Sequence, residues 1–356
     1  MTAALTTTRT GRPLATTGRT LVPIALGAML MGTRTPEDES RRILDHYLGE
    51  VQPRFTSPDG SPVLAMIDTA DCYCWWEAPG DEGGHSESVL GRWMADAGVR
   101  DRVHLATKGT ARVEGYADAW KDGEVDWAYA SSHFVGASAA VLEQSLEASL
   151  ERLGTASIDL YYIHVDDRST PLEETLSTLA GFVADGRIGA YGWSNVRTWR
   201  MAIIRALCDA HGWPQPVALQ QQHSYLRPRA GLRHGSIVSD EQLDYLEAHA
   251  DLQLVAYSPV LKGVYSDRSR RADDFWAMGN YAGPDTEARY AALDEVAAAT
   301  GATGNQVALA WMLAQASPRV LPLIGPRTWG QYLECIEALD VELTAEQVAR
   351  LDGAGA

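Results

Sequence analysis

Residues 138–195 read S-A-A-V-L-E-Q-S-L-E-A-S-L-E-R-L-G-T-A-S-I-D-L-Y-Y-I-H-V-D-D-R-S-T-P-L-E-E-T-L-S-T-L-A-G-F-V-A-D-G-R-I-G-A-Y-G-W-S-N. Leu142, Leu146, Ser149 and Leu153 fall on one face of a helix over 138–153, with Ser138 as a candidate N-cap. I-D-L-Y-Y-I (158–163) is a short apolar run with little alternation, which suits a strand buried on both faces of a parallel sheet. Thr170-Pro171-Leu172-Glu173 then reads as a capping box with proline at the first helical position, opening a helix to residue 185 that Gly186 ends. I-G-A-Y-G-W (188–193) is the next apolar run. Helix, strand, helix and strand alternate within this one stretch.

The same alternation extends in both directions. Apolar runs lie at 21–26, 63–67, 103–107, 158–163, 188–193, 217–220, 252–257 and 320–324. Helical spacing recurs over 37–48, 86–97, 197–210, 240–250, 289–300 and 328–338, and Thr344-Ala345-Glu346-Gln347 opens a final helix. Eight strands alternating with helices predict an α/β chain of the (β/α)8 TIM-barrel type. The doubly wound alternative lacks its dinucleotide signature, since no Gly-x-Gly-x-x-Gly follows an early strand. Three connections, 109–137, 222–239 and 259–288, exceed plain turns and follow strands three, six and seven. They predict long loops at the C-terminal face. The reading is a flexible leader over 1–20 running into a short hairpin, then one barrel domain over 21–356.

Composition narrows the function classes. A formal net charge of −17 argues against nucleic acid and anionic membrane as partners, though a few local donors can still hold a phosphate. The leader lacks the apolar core of a signal peptide, and no apolar run reaches the length of a membrane span, so the cytoplasm is the expected compartment. Cys72, Cys74, Cys208 and Cys335 fit no zinc or thioredoxin pattern and read as small buried thiols. His85, His133 and His223 have no metal-ligand spacing, and no metal is expected. The oligomeric state is not legible.

In a barrel enzyme the active site gathers at the C-terminal ends of the strands. Asp68, Lys108, His164, Ser194 with Asn195, Gln220, Tyr257 and Gly325 to Arg327 stand at the ends of seven successive runs. Strands often end in polar residues because loops begin there. That explanation fits poorly with an acid, a lysine, a histidine and an amide all abutting buried strands.

These residues lie within motifs that resemble the aldo-keto reductases. I-D-T-A-D-C-Y (67–73), S-E-S-V-L-G-R-W (86–93), A-T-K-G (106–109), S-L-E-A-S-L-E-R-L-G-T-A-S-I-D-L-Y-Y-I-H (145–164), Y-G-W-S-N (191–195), Y-S-P-V-L-K-G (257–263) and L-I-G-P-R-T-W-G-Q-Y-L-E (323–334) occur in family order. The resemblance runs from about residue 21 to 352. It implies hydride transfer from NADPH, the NADP(H) cofactor, to a small-molecule carbonyl substrate: an aldehyde, ketone or keto-sugar. It also implies a tetrad of Asp68, Tyr73, Lys108 and His164. The residue types make chemical sense. Carbonyl reduction needs a proton on the developing alkoxide, and an ordinary tyrosine pKa of ~10 is expected to fall beside an ammonium such as Lys108. Asp68 would pair with Lys108, and His164 would donate to the substrate oxygen.

The resemblance further implies that Tyr257 stacks on the nicotinamide and that Ser194, Asn195 and Gln220 hold its carboxamide. Ser258, Pro259, Leu261 and Gly263 match the pyrophosphate loop, and Gly325, Arg327, Gln331 and Glu334 match the adenosine end. Cys335 stands where the family commonly has Asn, and Cys74 where Gly is frequent. Arg327, near a helix start, favours a 2′-phosphate and hence NADPH over NADH. Trp75 and Trp76 are candidates for the substrate pocket, and E-A-P-G-D-E-G-G-H (77–85) reads as a shaped loop. A cofactor-binding regulatory subunit and a barrel enzyme of unrelated chemistry are the competing readings.

Overall fold

Eight parallel strands close into a barrel in the computed structural model, which describes residues 9–14 and 17–355. They are β1 (Ala25–Gly27), β2 (Val63–Asp68), β3 (Val103–Gly109), β4 (Ile158–Ile163), β5 (Ile188–Ser194), β6 (Ala218–Gln222), β7 (Gln253–Tyr257) and β8 (Val320–Ile324). Each pairs with its chain neighbours, and the ring shuts where Leu323 of β8 meets Ala25 of β1. All eight expected runs contribute a strand. The first run is cut short: Leu21 ends a hairpin strand, and β1 begins only after Pro23, which has no N–H for a ladder.

Alternation along the strands decides what enters the barrel. Leu64, Met66, Ala106, Leu160, Tyr162, Ala218, Val255, Leu321 and Leu323 form one interior cluster. Stepping by two from these puts Asp68, Lys108, His164, Gln220 and Tyr257 on the inside at the C-terminal end. The opposite parity packs against the helices in a larger cluster, which includes Ile67, Leu105, Tyr161, Ile163, Leu219 and Leu254.

Of the expected leader, residues 1–8 lie outside the described residues. Its described residues, 9–14 and 17–20, are largely paired into strands rather than free. Arg9–Thr10 pairs with Phe55–Thr56, and Arg12–Leu14 forms the expected hairpin with Arg19–Leu21. Leu14 and Leu21 join the interior cluster, and Arg12 donates to the carbonyls of Leu313 and Val320. The hairpin thus stoppers the barrel at its N-terminal end.

Most helices begin and end as their sequences dictate. Ser138 and Thr344 cap the helices Ala139–Leu153 and Ala345–Asp352, the latter with the full capping box to Gln347. Thr170 does not cap. Its hydroxyl donates to Asp167 instead, at 2.6 Å, and the helix starts at Leu172. The helix Gly304–Ala314 escapes the periodicity because eight of its eleven residues are buried, which leaves no polar stripe to mark its pitch. Among the described residues, no helix is long and apolar enough to cross a membrane.

Candidate active site

Lys108 lies at the centre of the C-terminal mouth. Its Nζ donates to Asp68 Oδ1, to the Thr69 carbonyl at 2.8 Å and to Tyr73 Oη at 3.0 Å. Three donors thus meet three oxygens, and the side chain is 0% exposed. Asp68, 1% exposed, receives a second bond from Gln220 Nε2 at 2.8 Å. His164 stands edge-on to Tyr73, ring centroids 5.6 Å apart, and its Nδ1 lies 3.6 Å from Cys72 Sγ. Tyr73 and His164 are half-buried, so the hydroxyl and the imidazole face the mouth while the ion pair sits beneath them.

The loop after β2 is fixed from several sides. The Thr69 and Asp71 N–H groups donate to Ala106 and Lys108 carbonyls at 2.9 and 3.0 Å, extending the β2–β3 ladder past the strand end. Ser86 Oγ joins Thr69 Oγ1 to the Ala28 carbonyl, each contact 2.7 Å. Glu87, fully buried, accepts from Thr107 at 2.6 Å and from Arg152 at 2.7 Å. Ser86 therefore braces this loop, and Glu87 ties β3 to Arg152 of the E-R-L-G stretch. In the acidic insertion, the N–H of Gly84 holds the Tyr73 carbonyl at 3.0 Å, and a Cβ on Gly83 would sit 2.8 Å from the Cys72 carbonyl at φ +83°. The insertion shapes the loop, as its sequence suggests. Cys74 takes a left-handed φ of 78° despite its side chain, and its thiol donates to the Met29 carbonyl at 3.0 Å.

Burial reorders the expected electrostatics. The Tyr73 hydroxyl is pushed up to about 12, because desolvation outweighs the pull of Lys108. The sequence-based expectation of a net lowering is therefore corrected: the ammonium only limits the rise. Lys108 itself stays protonated, since burial opposes its charge but Asp68 and Tyr73 more than compensate. His164 is driven well below the usual histidine range by burial and then by Lys108, and is neutral.

A model of the aldo/keto reductase family matches residues 23–356. The chain belongs to this family. It is 29% identical to the uncharacterized oxidoreductase YrpG of Bacillus subtilis, over 95% of this chain and 94% of that protein. It is 30% identical to norsolorinic acid reductase stcV of Emericella nidulans, over 96% and 79% of the two chains. Versiconal hemiacetal acetate reductase of Aspergillus parasiticus is 27% identical over 80% and 81%.

As an aldo/keto reductase, the chain has a second set of residues to account for. Asn195 Nδ2 donates to the His164 carbonyl at 2.7 Å and to Ser194 Oγ at 3.0 Å, and its Oδ1 accepts from Tyr257 at 2.9 Å. Beyond Tyr257, Ser258, Leu261, Lys262 and Gly263 all have positive φ, so the backbone curls tightly. Pro259 is tied through its carbonyl to Ser224, and Leu261 is buried in the core, so only its backbone is available to a ligand. Gln331 accepts from the Arg327 N–H at 2.9 Å, and Glu334 accepts from Ser266 and Asn305. Gly325 and Arg327 are exposed at the end of β8. Cys335 is buried in the core, and Asn305, next to Glu334, has a buried Oδ1 without a partner. The donor set suits a phosphate-bearing dinucleotide. Burial and the nearby Arg327 and Arg34 depress the Lys262 pKa, and among the described residues neither Lys262 nor Arg327 has a carboxylate partner.

The tryptophans divide. Trp75 is 3% exposed and belongs to a buried cluster with Cys72, Ala111, Val113 and Ala130, while its ring stands 5.7 Å from that of Trp127. Trp76 stands 6.1 Å from Tyr73 and 6.0 Å from Trp127, which is 58% exposed. Trp127, Lys262, Cys72 and Asn305 were not legible as site residues. The V-L-K-G of 260–263 carried a usable signal for Lys262. Trp127 gave none, because only the folding of the 109–137 loop brings it to the mouth. His85 pairs with Asp81, His133 stacks on Tyr129, and His223 is half-buried near Trp311. All four cysteines are free and buried.

Proposed function

We propose that this chain is an NADPH-dependent carbonyl reductase in which Tyr73 gives the proton to the substrate oxygen. The observation that carries the reading is Lys108 Nζ bridging Asp68, the Thr69 carbonyl and Tyr73 Oη at the barrel mouth. NADPH, when bound, supplies the hydride. A phenol kept protonated at neutral pH has a proton to give, and the buried ammonium beside it stabilises the phenolate character that grows as the proton leaves. Asp68 and Gln220 hold the ammonium in place. Neutral His164 donates a hydrogen bond to the same oxygen and orients the carbonyl.

Ser194, Asn195 and Gln220 are the groups available to a carboxamide, and Tyr257 offers a ring face for stacking. Lys262 with the curl from Ser258 to Gly263 suits a pyrophosphate, and Arg327 suits a 2′-phosphate. Gln331 and Glu334 lie at the adenosine end. Trp76 and Trp127 favour a flat, largely apolar carbonyl compound over a sugar. An acidic protein with four unpaired buried thiols fits the reducing cytoplasm.

The test is carbonyl-dependent oxidation of NADPH across aryl aldehydes, aryl ketones and sugars. Turnover of the aryl compounds with NADPH, and weak turnover with NADH, is expected. A protein that binds NADPH and oxidises it with none of them would favour a regulatory role instead.

A further inference from the structure

We infer that Cys72 is a positioning residue, whose thiol donates to Nδ1 of His164 and so leaves the single ring proton on Nε2. The inference rests on the reading of His164 as a hydrogen-bond donor to the carbonyl oxygen. A neutral imidazole has one N–H and one lone pair, and the hydrogen bond at one nitrogen sets the state of the other. Cys72 Sγ lies 3.6 Å from Nδ1. Among the described residues no other side chain meets that nitrogen, and none meets Nε2. His164 is half-buried and otherwise fixed by its backbone, with its N–H on the Gly109 carbonyl at 3.0 Å and its own carbonyl taken by Asn195. The ring is thus placed by the main chain, and the thiol is the one side-chain group that distinguishes its two nitrogens.

The charges around the pair keep these roles fixed. Burial and then Asp71 push the Cys72 thiol well above its usual range, so it keeps its proton and donates. Burial and Lys108 keep His164 neutral, so Nδ1 has a lone pair to accept. In the reverse arrangement, Nδ1–H to sulfur, the thiol hydrogen would have no acceptor among the described residues. That arrangement would also turn the Nε2 lone pair toward the substrate oxygen, where two lone pairs repel. Gly83, seated against the Cys72 carbonyl, fixes the backbone that aims the thiol.

The experiment reads the tautomer directly, without turnover. The full chain is labelled with 15N-histidine, His164 is assigned from the His164→Gln variant, and long-range 1H–15N spectra are recorded. The parent is expected to show the Nε2–H form. Cys72→Ala and Cys72→Val, the latter close in volume to the thiol but without a donor, are expected to show a mixture. Both should lose at least threefold in kcat with little change in NADPH affinity, and Cys72→Ser should restore the Nε2–H form and the rate. An Nδ1–H parent, or an Nε2–H population unchanged in both Ala and Val variants, overturns the inference. A His164→Gln variant with undiminished turnover would instead remove the functional reading of His164 and leave the tautomer result standing.

Discussion

Replacing Lys108 with methionine removes the charge and keeps most of the volume. In the folded chain the ammonium sits 3.0 Å from Tyr73 Oη. At an effective dielectric of ~20, two unit charges at that separation interact by about 5 kcal/mol. A proton about half transferred in the transition state would feel about half of that, on the order of 2–3 kcal/mol, or roughly 100-fold in rate. Stability also falls, because breaking a buried pair from one side costs about 3–5 kcal/mol. Part of this is recovered. Burial pushes the Asp68 carboxyl up, so it takes a proton once the ammonium is gone, and Gln220 still donates to it. The double variant Asp68→Asn/Lys108→Met should therefore be more stable than Lys108→Met alone. The assay is single-turnover NADPH oxidation, with folding and NADPH binding measured in parallel. A folded, NADPH-binding Lys108→Met protein that reduces a verified substrate at the parental rate would refute the electrostatic role given to Lys108.

Arg327→Ala should weaken NADPH binding by about 10–100-fold, the loss of one charge-assisted contact, and leave NADH nearly unchanged. Titrating both cofactors checks it, and an unchanged ratio counts against the 2′-phosphate assignment. Asp71 is buried, and burial and then Glu87 raise it to about 7 from its usual 3.8, despite Arg112, Arg152 and the Ser145 hydroxyl. A raised folded pKa contributes stability that is fully present below the unfolded value and lost as pH rises through the folded one. Asp71→Asn should therefore be more stable than the parent by a margin that opens above about pH 4 and stops widening near pH 7, at about 4 kcal/mol at most. Denaturant titrations at pH 4, 6 and 8 measure it, and a constant margin would show that Asp71 does not titrate in this window.

The barrel was readable because buried parallel strands are nearly all apolar and their ends are not. Parity did the rest: once Met66 and Ala106 are inside, Asp68 and Lys108 must be too. What stayed hidden depends on long-range placement. Trp127 reaches Trp76 only through the folded 109–137 loop, and Cys72 meets His164 across 92 residues of chain. The direction of the Tyr73 shift needed its burial, which the residue types do not reveal. The helix 304–314 was missed for the opposite reason, since a helix with eight of its eleven residues buried has no stripe to read.

The central claim is that Tyr73 gives the proton. Tyr73→Phe deletes the hydroxyl that Lys108 holds and keeps the ring that packs against Trp76 and His164. In single-turnover oxidation of NADPH on a verified carbonyl substrate, the chemical step should slow by ~10²–10⁴-fold, with the NADPH dissociation constant nearly unchanged. A folded Tyr73→Phe protein that binds NADPH and performs that step at close to the parental rate would contradict the account.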